Sequence, residues 1–308
     1  MFGLILNQMV IFFLVFAVGF IASRTGVIAQ EGMPPLAKLA TKMLLPAMIV
    51  YSTCANCTSD MILRNGGMIL LAAAFYAVIS LVVFLMAKAM RLEHDKDRVF
   101  QFCFIFGNTG FVGIPLLASV LPGAGLVYMM MFTIVDQLVF WTYGVWLSTA
   151  RGRTADGFSP RQLLNPNIIA LVIALAILFL HIPVPDIIMS GLGTISAATP
   201  GVCMVYLGAL AGFSDVRPVL KRPELYAGIV VKMVALPVAA AKVLLAVGAF
   251  PDQMVLGLAV IMALPVMTVV PMVAATNGGE GEYATGITVV TLVASIVAIP
   301  LVAFLIGA

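Results

Sequence analysis

Charge is scarce in this sequence: Asp, Glu, Lys and Arg together supply 9% of 308 residues, while hydrophobic residues supply 63%. Soluble domains carry about a quarter of their residues charged, so a water-soluble globule of this size is excluded. The mean hydropathy of +1.16 makes lipid the solvent. Histidine is nearly absent, with only His94 and His181, which argues against a histidine-built metal centre, and no metal site is expected. The four cysteines are scattered, and only Cys54 and Cys57 in YSTCANC have a spacing that suggests chemistry. Without a second pair or a neighbouring histidine they read as structural thiols. The signatures of intramembrane enzymes are missing too: there is no HExxH, no GxSG serine and no second intramembrane Asp to form a dyad. No enzymatic activity, no cofactor and no nucleic-acid partner is therefore expected.

What is abundant is apolar sequence in runs of membrane-crossing length. A bilayer core about 30 Å thick needs roughly 20 apolar residues per helix. Ten such runs lie near residues 3–23, 33–55, 66–90, 98–121, 125–149, 165–181, 187–212, 224–248, 253–277 and 283–306. The first has no Lys or Arg ahead of it and no small-residue cleavage pattern behind it, and reads as a retained helix. Of the sixteen Lys and Arg residues, thirteen flank the odd-numbered connections and only Arg64 the even ones, while Lys232 and Lys242 lie within the eighth run. Basic short loops stay cytoplasmic, so both termini are expected outside. The alternation requires the ten crossings.

Two halves of five crossings have opposite topology, and traces of duplication remain. Pro46 precedes Pro200 by 154 residues, Pro115 precedes Pro271 by 156, and YMMMFTIVDQ from Tyr128 matches YATGITVVTL from Tyr283 at 155. The predicted fold is an all-α integral membrane protein of ten transmembrane helices in two inverted repeats, 1–149 and 165–308, joined by a cytoplasmic loop at 150–164. Inverted repeats recur in secondary transporters, with the site at their interface.

The fourth run, FCFIFGNTGFVGIPLLASVLPG, is interrupted by Gly107, Asn108, Thr109, Gly110, Gly113 and Pro115, and the ninth by Pro265 and Pro271. Proline removes a backbone donor and glycine supplies freedom, so both helices are predicted to unwind mid-membrane. Unwound backbone survives there only inside protein or against water, which implies a cavity. Half-helices beginning near Pro115 and Pro271 would aim their positive ends at an anion. Asn108, Thr109, Gly110, Gly113, Pro115, Gln137, Pro265, Thr268 and Pro271 are the candidate substrate-binding residues. Asp136, mid-way through the fifth run, costs at least about 2.5 kcal/mol as a buried charge and should face a partner or a wet cavity. It is the candidate for a coupling proton or sodium ion. Lys232 lies deep in the eighth run, where it either pairs with Asp136 and attracts the anion or reaches back to the cytoplasmic headgroups; Lys42 and Lys242 read as snorkelling. Tyr51, Ser52, Met204 and Tyr206, just after the matched prolines, are accessory candidates that either line the pocket or pack in the core.

FGNTGFVGIPLL, LNPNIIALVIALAILFLHIPVP, the prolyl ninth helix and SIVAIPL together resemble the auxin efflux carrier family along essentially the whole chain. Its bacterial members are often described as malonate or malate permeases. The resemblance implies crossed, broken helices 4 and 9, as in bile acid symporters and sodium/proton antiporters, with helices 1, 2, 6 and 7 as scaffold and helices 3–5 and 8–10 as a moving transport unit. It matches Asn108 to the crossover asparagine that meets the substrate carboxylate, and Gln137 to a fifth-helix glutamine of the same pocket. The chain departs from the plant carriers in lacking their long central loop and an asparagine beside Pro265, which makes a short carboxylate a better substrate than auxin. The expectation is a multi-pass carrier of the plasma (bacterial inner) membrane that moves a small organic anion by elevator-type alternating access. A homodimer is compatible with this plan. The alternative is a membrane-embedded anion sensor without net transport.

Overall fold

The computed structural model describes residues 2–56, 58–92, 95–121, 124–151, 166–213, 215 and 217–307. Cys57, His94 and most of the 150–164 connection lie outside them. Among the described residues the chain is helical nearly throughout, with two isolated bridges and no strand. Six helical stretches among the described residues are long and apolar enough to cross a membrane: Gln30–Asn56, Gly66–Ala89, Val127–Ser148, Asp186–Phe213, Pro223–Val247 and Gly281–Leu305. This is the architecture of a multi-pass membrane protein.

In chain order, α1 (Phe2–Arg24) is followed by α2 (Met33–Leu39) and α3 (Leu45–Asn56), which are joined by a π-helical turn at Ala40–Leu44. A short α4 (Ser59–Arg64) precedes α5 (Gly66–Ala89). The expected fourth crossing is two pieces, α6 (Lys96–Ile105) and α7 (Ile114–Val120), with a π turn at Thr109–Gly113 between them. Then come α8 (Ala124–Val139), a π turn at Phe140–Gly144, α9 (Val145–Ser148), α10 (Pro166–Phe179) and α11 (Asp186–Phe213). After α12 (Arg217–Leu220), α13 (Pro223–Val230) runs through a π turn at Val231–Ala235 into α14 (Leu236–Val247). The expected ninth crossing is likewise divided, into α15 (Asp252–Met262) and α16 (Val270–Thr276), before α17 (Gly281–Leu305) closes the chain.

The helices α1, α3, α10 and α11 pack chiefly on one another. The α1–α11 contact is close because glycine removes the side chain where backbones meet: a Cβ at Gly19 would overlap the Val205 carbonyl, and one at Gly208 the Phe16 carbonyl. Small residues of this kind let membrane helices approach without help from a hydrophobic effect. Gly208→Val should therefore lower stability by about 1–3 kcal/mol, the usual cost of overpacking. Gly201→Ala, on the same helix with nothing near its Cβ position, should leave it unchanged; thermal unfolding in detergent compares the two.

Elsewhere α5 packs on α6 and α8, α14 on α15, and α16 on α17. At the broken end of α6, Phe106 is fully buried and extended, with its ring against those of Tyr76, Phe102 and Phe140. This aromatic cluster fills the space that an unwound turn would otherwise leave empty.

Candidate functional site

Unwinding a helix inside a membrane exposes amides that must find partners. Here the two broken helices satisfy each other. The Asn108 N–H donates to the Pro265 carbonyl at 2.8 Å and the Met267 N–H to the Phe106 carbonyl at 3.1 Å, making an antiparallel bridge between Gly107 and Val266. The Val266 N–H donates to Thr291 Oγ1 at 3.2 Å, and Lys232 Nζ donates to the Leu264 carbonyl. The Asn108 carbonyl accepts from Gly113 at 2.9 Å and from Val112 at 3.2 Å, closing the wide turn that restarts the helix.

This locates the first half-helix differently from the sequence expectation. Coiling resumes at Thr109 in a π turn, well before Pro115, which stands in the first turn of α7. Pro271 holds the equivalent place in α16. Proline tolerates the place of Pro271 because its missing N–H would be unpaired there anyway. Of Pro115 only the backbone is described.

A cavity lies against the crossing, bounded by α3, the Thr109–Gly113 turn, α8, α10 and the stretch before α16. Its polar lining is Ser52, Thr53, Asn108, Thr109, Thr133 and Gln137, with the Gly110 backbone; Met48, Ile49, Ile134, Leu171 and Met267 are among its apolar walls. Its volume is about 70 Å³, measured by the positions open to a water centre. At about 10–15 Å³ per water this is room for about five to seven water-sized groups. No acidic or basic side chain lines it, so a bound anion would be held by amide and hydroxyl donors.

Gln137 shows how one such donor is set. The Trp141 indole N–H donates to Gln137 Oε1 at 2.7 Å. An indole can only donate, so the amide oxygen faces Trp141 and the NH2 end is presented for other partners. The pair is four residues apart, one helical turn, so the sequence carried the signal for Trp141 in its spacing from Gln137. Thr133, one turn before Gln137, carried the same signal, and Thr53 stands beside the nominated Ser52.

Asp136 is adjacent to Gln137 in the chain yet does not line the cavity, because neighbours on a helix point about 100° apart. It is fully buried behind Thr109, whose Oγ1 donates to Asp136 Oδ2 at 3.1 Å, while the Tyr76 hydroxyl donates to Oδ1. Tyr76 had no distinguishing context in the sequence. Lys232, only 1% exposed, does not reach the headgroups, and among the described residues it makes no ion pair with Asp136. Its ammonium is engaged by the Leu264 carbonyl on the other side of the crossing, within 3.5 Å of where a Cβ on Gly107 would lie. A side chain at position 107 would press on Leu264 Cβ, 3.3 Å away, and touch that lysine.

Three further nominations fall elsewhere. Tyr51 lies against Gly193 of α11, Met204 is buried in the core, and Tyr206 lines a separate cavity with Gln30, Leu210 and Glu282. They follow the matched prolines in sequence, but α3 and α11 pack against each other there, so only the Ser52 face of α3 looks toward the crossing. Gly113 packs against Met129 and Leu264, and Thr268 is fully buried, its Oγ1 unpaired among the described residues.

Comparison with known proteins agrees with a membrane carrier. The pattern of the family described as "Membrane transport protein" matches residues 4–159 and again 153–304. An uncharacterized transporter of Methanothermobacter thermautotrophicus (strain Delta H) is 22% identical over 214 residues, covering 68% of this chain and 69% of that protein. Matched over nearly its whole length by that pattern, the chain belongs to the membrane transport protein family of the auxin efflux carrier type.

Proposed function

We propose that the protein is a secondary transporter that carries a small organic anion, a mono- or dicarboxylate such as malonate or malate, across the plasma membrane. The observation that carries this reading is the cavity at the crossing, neutral in its lining and edged by Asn108, Thr109, Gly110 and Gln137. In it Asn108 and the Gln137 NH2 group donate to the carboxylate, and Ser52 receives or donates at its far edge. The crossing backbone, Gly113 and Pro115 on one side and Pro265, Thr268 and Pro271 on the other, holds these donors in place.

Ten crossings in two inverted repeats, with both termini outside, remain the topology we favour. Several equivalences support the duplication. Asp136 and Thr291 are 155 residues apart, and each accepts a hydrogen bond from the crossing, from Thr109 Oγ1 and the Val266 N–H respectively. Thr199 Oγ1 donates to the Leu44 carbonyl, again 155 residues away. The close packing of α1, α3, α10 and α11 suits a static scaffold against which the rest moves as an elevator. Asp136 binds the coupling ion, a proton or sodium, and communicates with the cargo through Thr109.

The test is accumulation of labelled malonate and malate by purified protein in liposomes, with and without proton and sodium gradients. Saturable, competable uptake is expected. Binding without flux would instead make the protein a sensor.

A further inference from the structure

A second cavity lies beyond the first. It is lined by Thr41, Lys42, Trp141, Asn167, Val273 and Asn277, among others. Compared with the central cavity, each contributing element is displaced by four residues: Thr41 against Leu45, Trp141 against Gln137, Asn167 against Leu171, Val273 against Val269. Four residues are about 6 Å of helix rise. The displacement runs backward along the two elements that leave the basic connections and forward along α8, whose end leads to Arg151. These three step toward the face rich in Lys and Arg, and the step along α16 leads to Gly278, which is bridged to Thr149 on that same face. The two cavities are successive chambers along one set of helices.

We propose that the second chamber is a staging site where the carboxylate waits before entering the central cavity, with Trp141 as the partition between the two. Lys42 is its cation. Among the described residues Lys42 makes no ion pair, and no acidic side chain lines the chamber. Asn277 contributes as well: its amide uses one N–H on Ser148 Oγ at 2.7 Å and has a second to offer. Thr41 and Lys42 lie in one π turn and Trp141 in another, irregularities that recur at functional sites because they re-aim side chains. The chamber measures about 110 Å³, against 70 Å³ for the central one. It is the one of the two with a full positive charge. Trp141 is buried and tied to Gln137, so an anion passing inward must part the indole from the amide that then receives it. This inference rests on the transport reading above.

The chain has two tryptophans. Trp146 is occupied with Tyr143 and Arg98, away from both chambers, so W146F leaves Trp141 as the sole indole. Titrating that full-length protein with malonate in detergent should change its fluorescence in two saturable steps. In K42Q/W146F the half-saturating concentration of the weaker step should rise about tenfold, as expected for a lost hydrogen bond to a charged group. K42R should restore it. N108A/W146F should lose the tighter step alone. A single step indifferent to K42Q, or no response at any malonate concentration, overturns the staging site. Liposome flux separates this from the parent reading: flux with one K42Q-insensitive step overturns the staging site and leaves the transporter, while two steps without flux overturn the transporter and leave a two-site binder.

Discussion

Replacing Asn108 by alanine is expected to lower malonate uptake at subsaturating concentrations about 10- to 150-fold, the equivalent of losing one hydrogen bond to a charged group, about 1.5–3 kcal/mol. The effect should be large because the cavity has no charged side chain to hold the anion in its place. The Asn108 backbone joins the crossing through Pro265, Val112 and Gly113, and alanine keeps those bonds; thermal unfolding of the variant separates lost binding from lost folding. Asn108→Asp keeps size and backbone but sets a carboxylate against the cargo, and its uptake should fall at least as far. Uptake by either variant at the wild-type rate, with thermal unfolding unchanged, would remove Asn108 from the binding site.

Asp136→Asn is expected to abolish gradient-driven accumulation while leaving exchange of labelled for unlabelled malonate across the membrane. The reason lies in hydrogen arithmetic at Thr109. Its hydroxyl has one hydrogen, and the structure gives it to Asp136 Oδ2, which leaves only lone pairs for the cavity it also lines. Lone pairs repel a carboxylate. When Asp136 takes up a proton or a sodium ion, its demand on that hydrogen weakens and the hydroxyl can turn to donate to the cargo. Asparagine fixes one condition permanently, so the site still binds but no longer senses the gradient. Tyr76→Phe removes the other donor to Asp136 and should shift the ion dependence without eliminating it. Liposomes loaded with cold malonate measure exchange, and an imposed proton or sodium gradient measures accumulation. Gradient-driven accumulation undiminished in Asp136→Asn would assign coupling elsewhere.

Composition and punctuation made much of this arrangement legible. Gly107, Gly110 and Gly113 with Pro115, and Pro265 with Pro271, located both interruptions because they are clustered; the single prolines Pro200 and Pro300 stand inside the unbroken α11 and α17. Asn108 stood out within the polar GNTG cluster, and Gln137 through the resemblance to the auxin efflux carriers. What escaped was set by direction around an axis. Asp136 and Gln137 are consecutive, yet one faces Tyr76 and the other the cavity, and a linear reading cannot choose between them. The π turns escaped as well: an extra residue per turn leaves no signature in composition, though it decides where Lys42, Thr109, Trp141 and Lys232 point. Lys232 stood between two readings for a related reason. Its partner is a backbone carbonyl at Leu264, freed only by the break in the other helix.

The reciprocal bonding at the crossing bears on how any motion can proceed. Separating the two interrupted helices would strip partners from the amides of Asn108 and Met267 and from the carbonyls of Pro265 and Phe106, at several kcal/mol for each group left bare in lipid. The crossing is thus a weld and not a hinge. Whatever displaces Asn108 by an ångström must carry Met267, Thr291 and the buried lysine along with it, and bending has to be sought at the rim, where these helices meet α1, α3, α10 and α11.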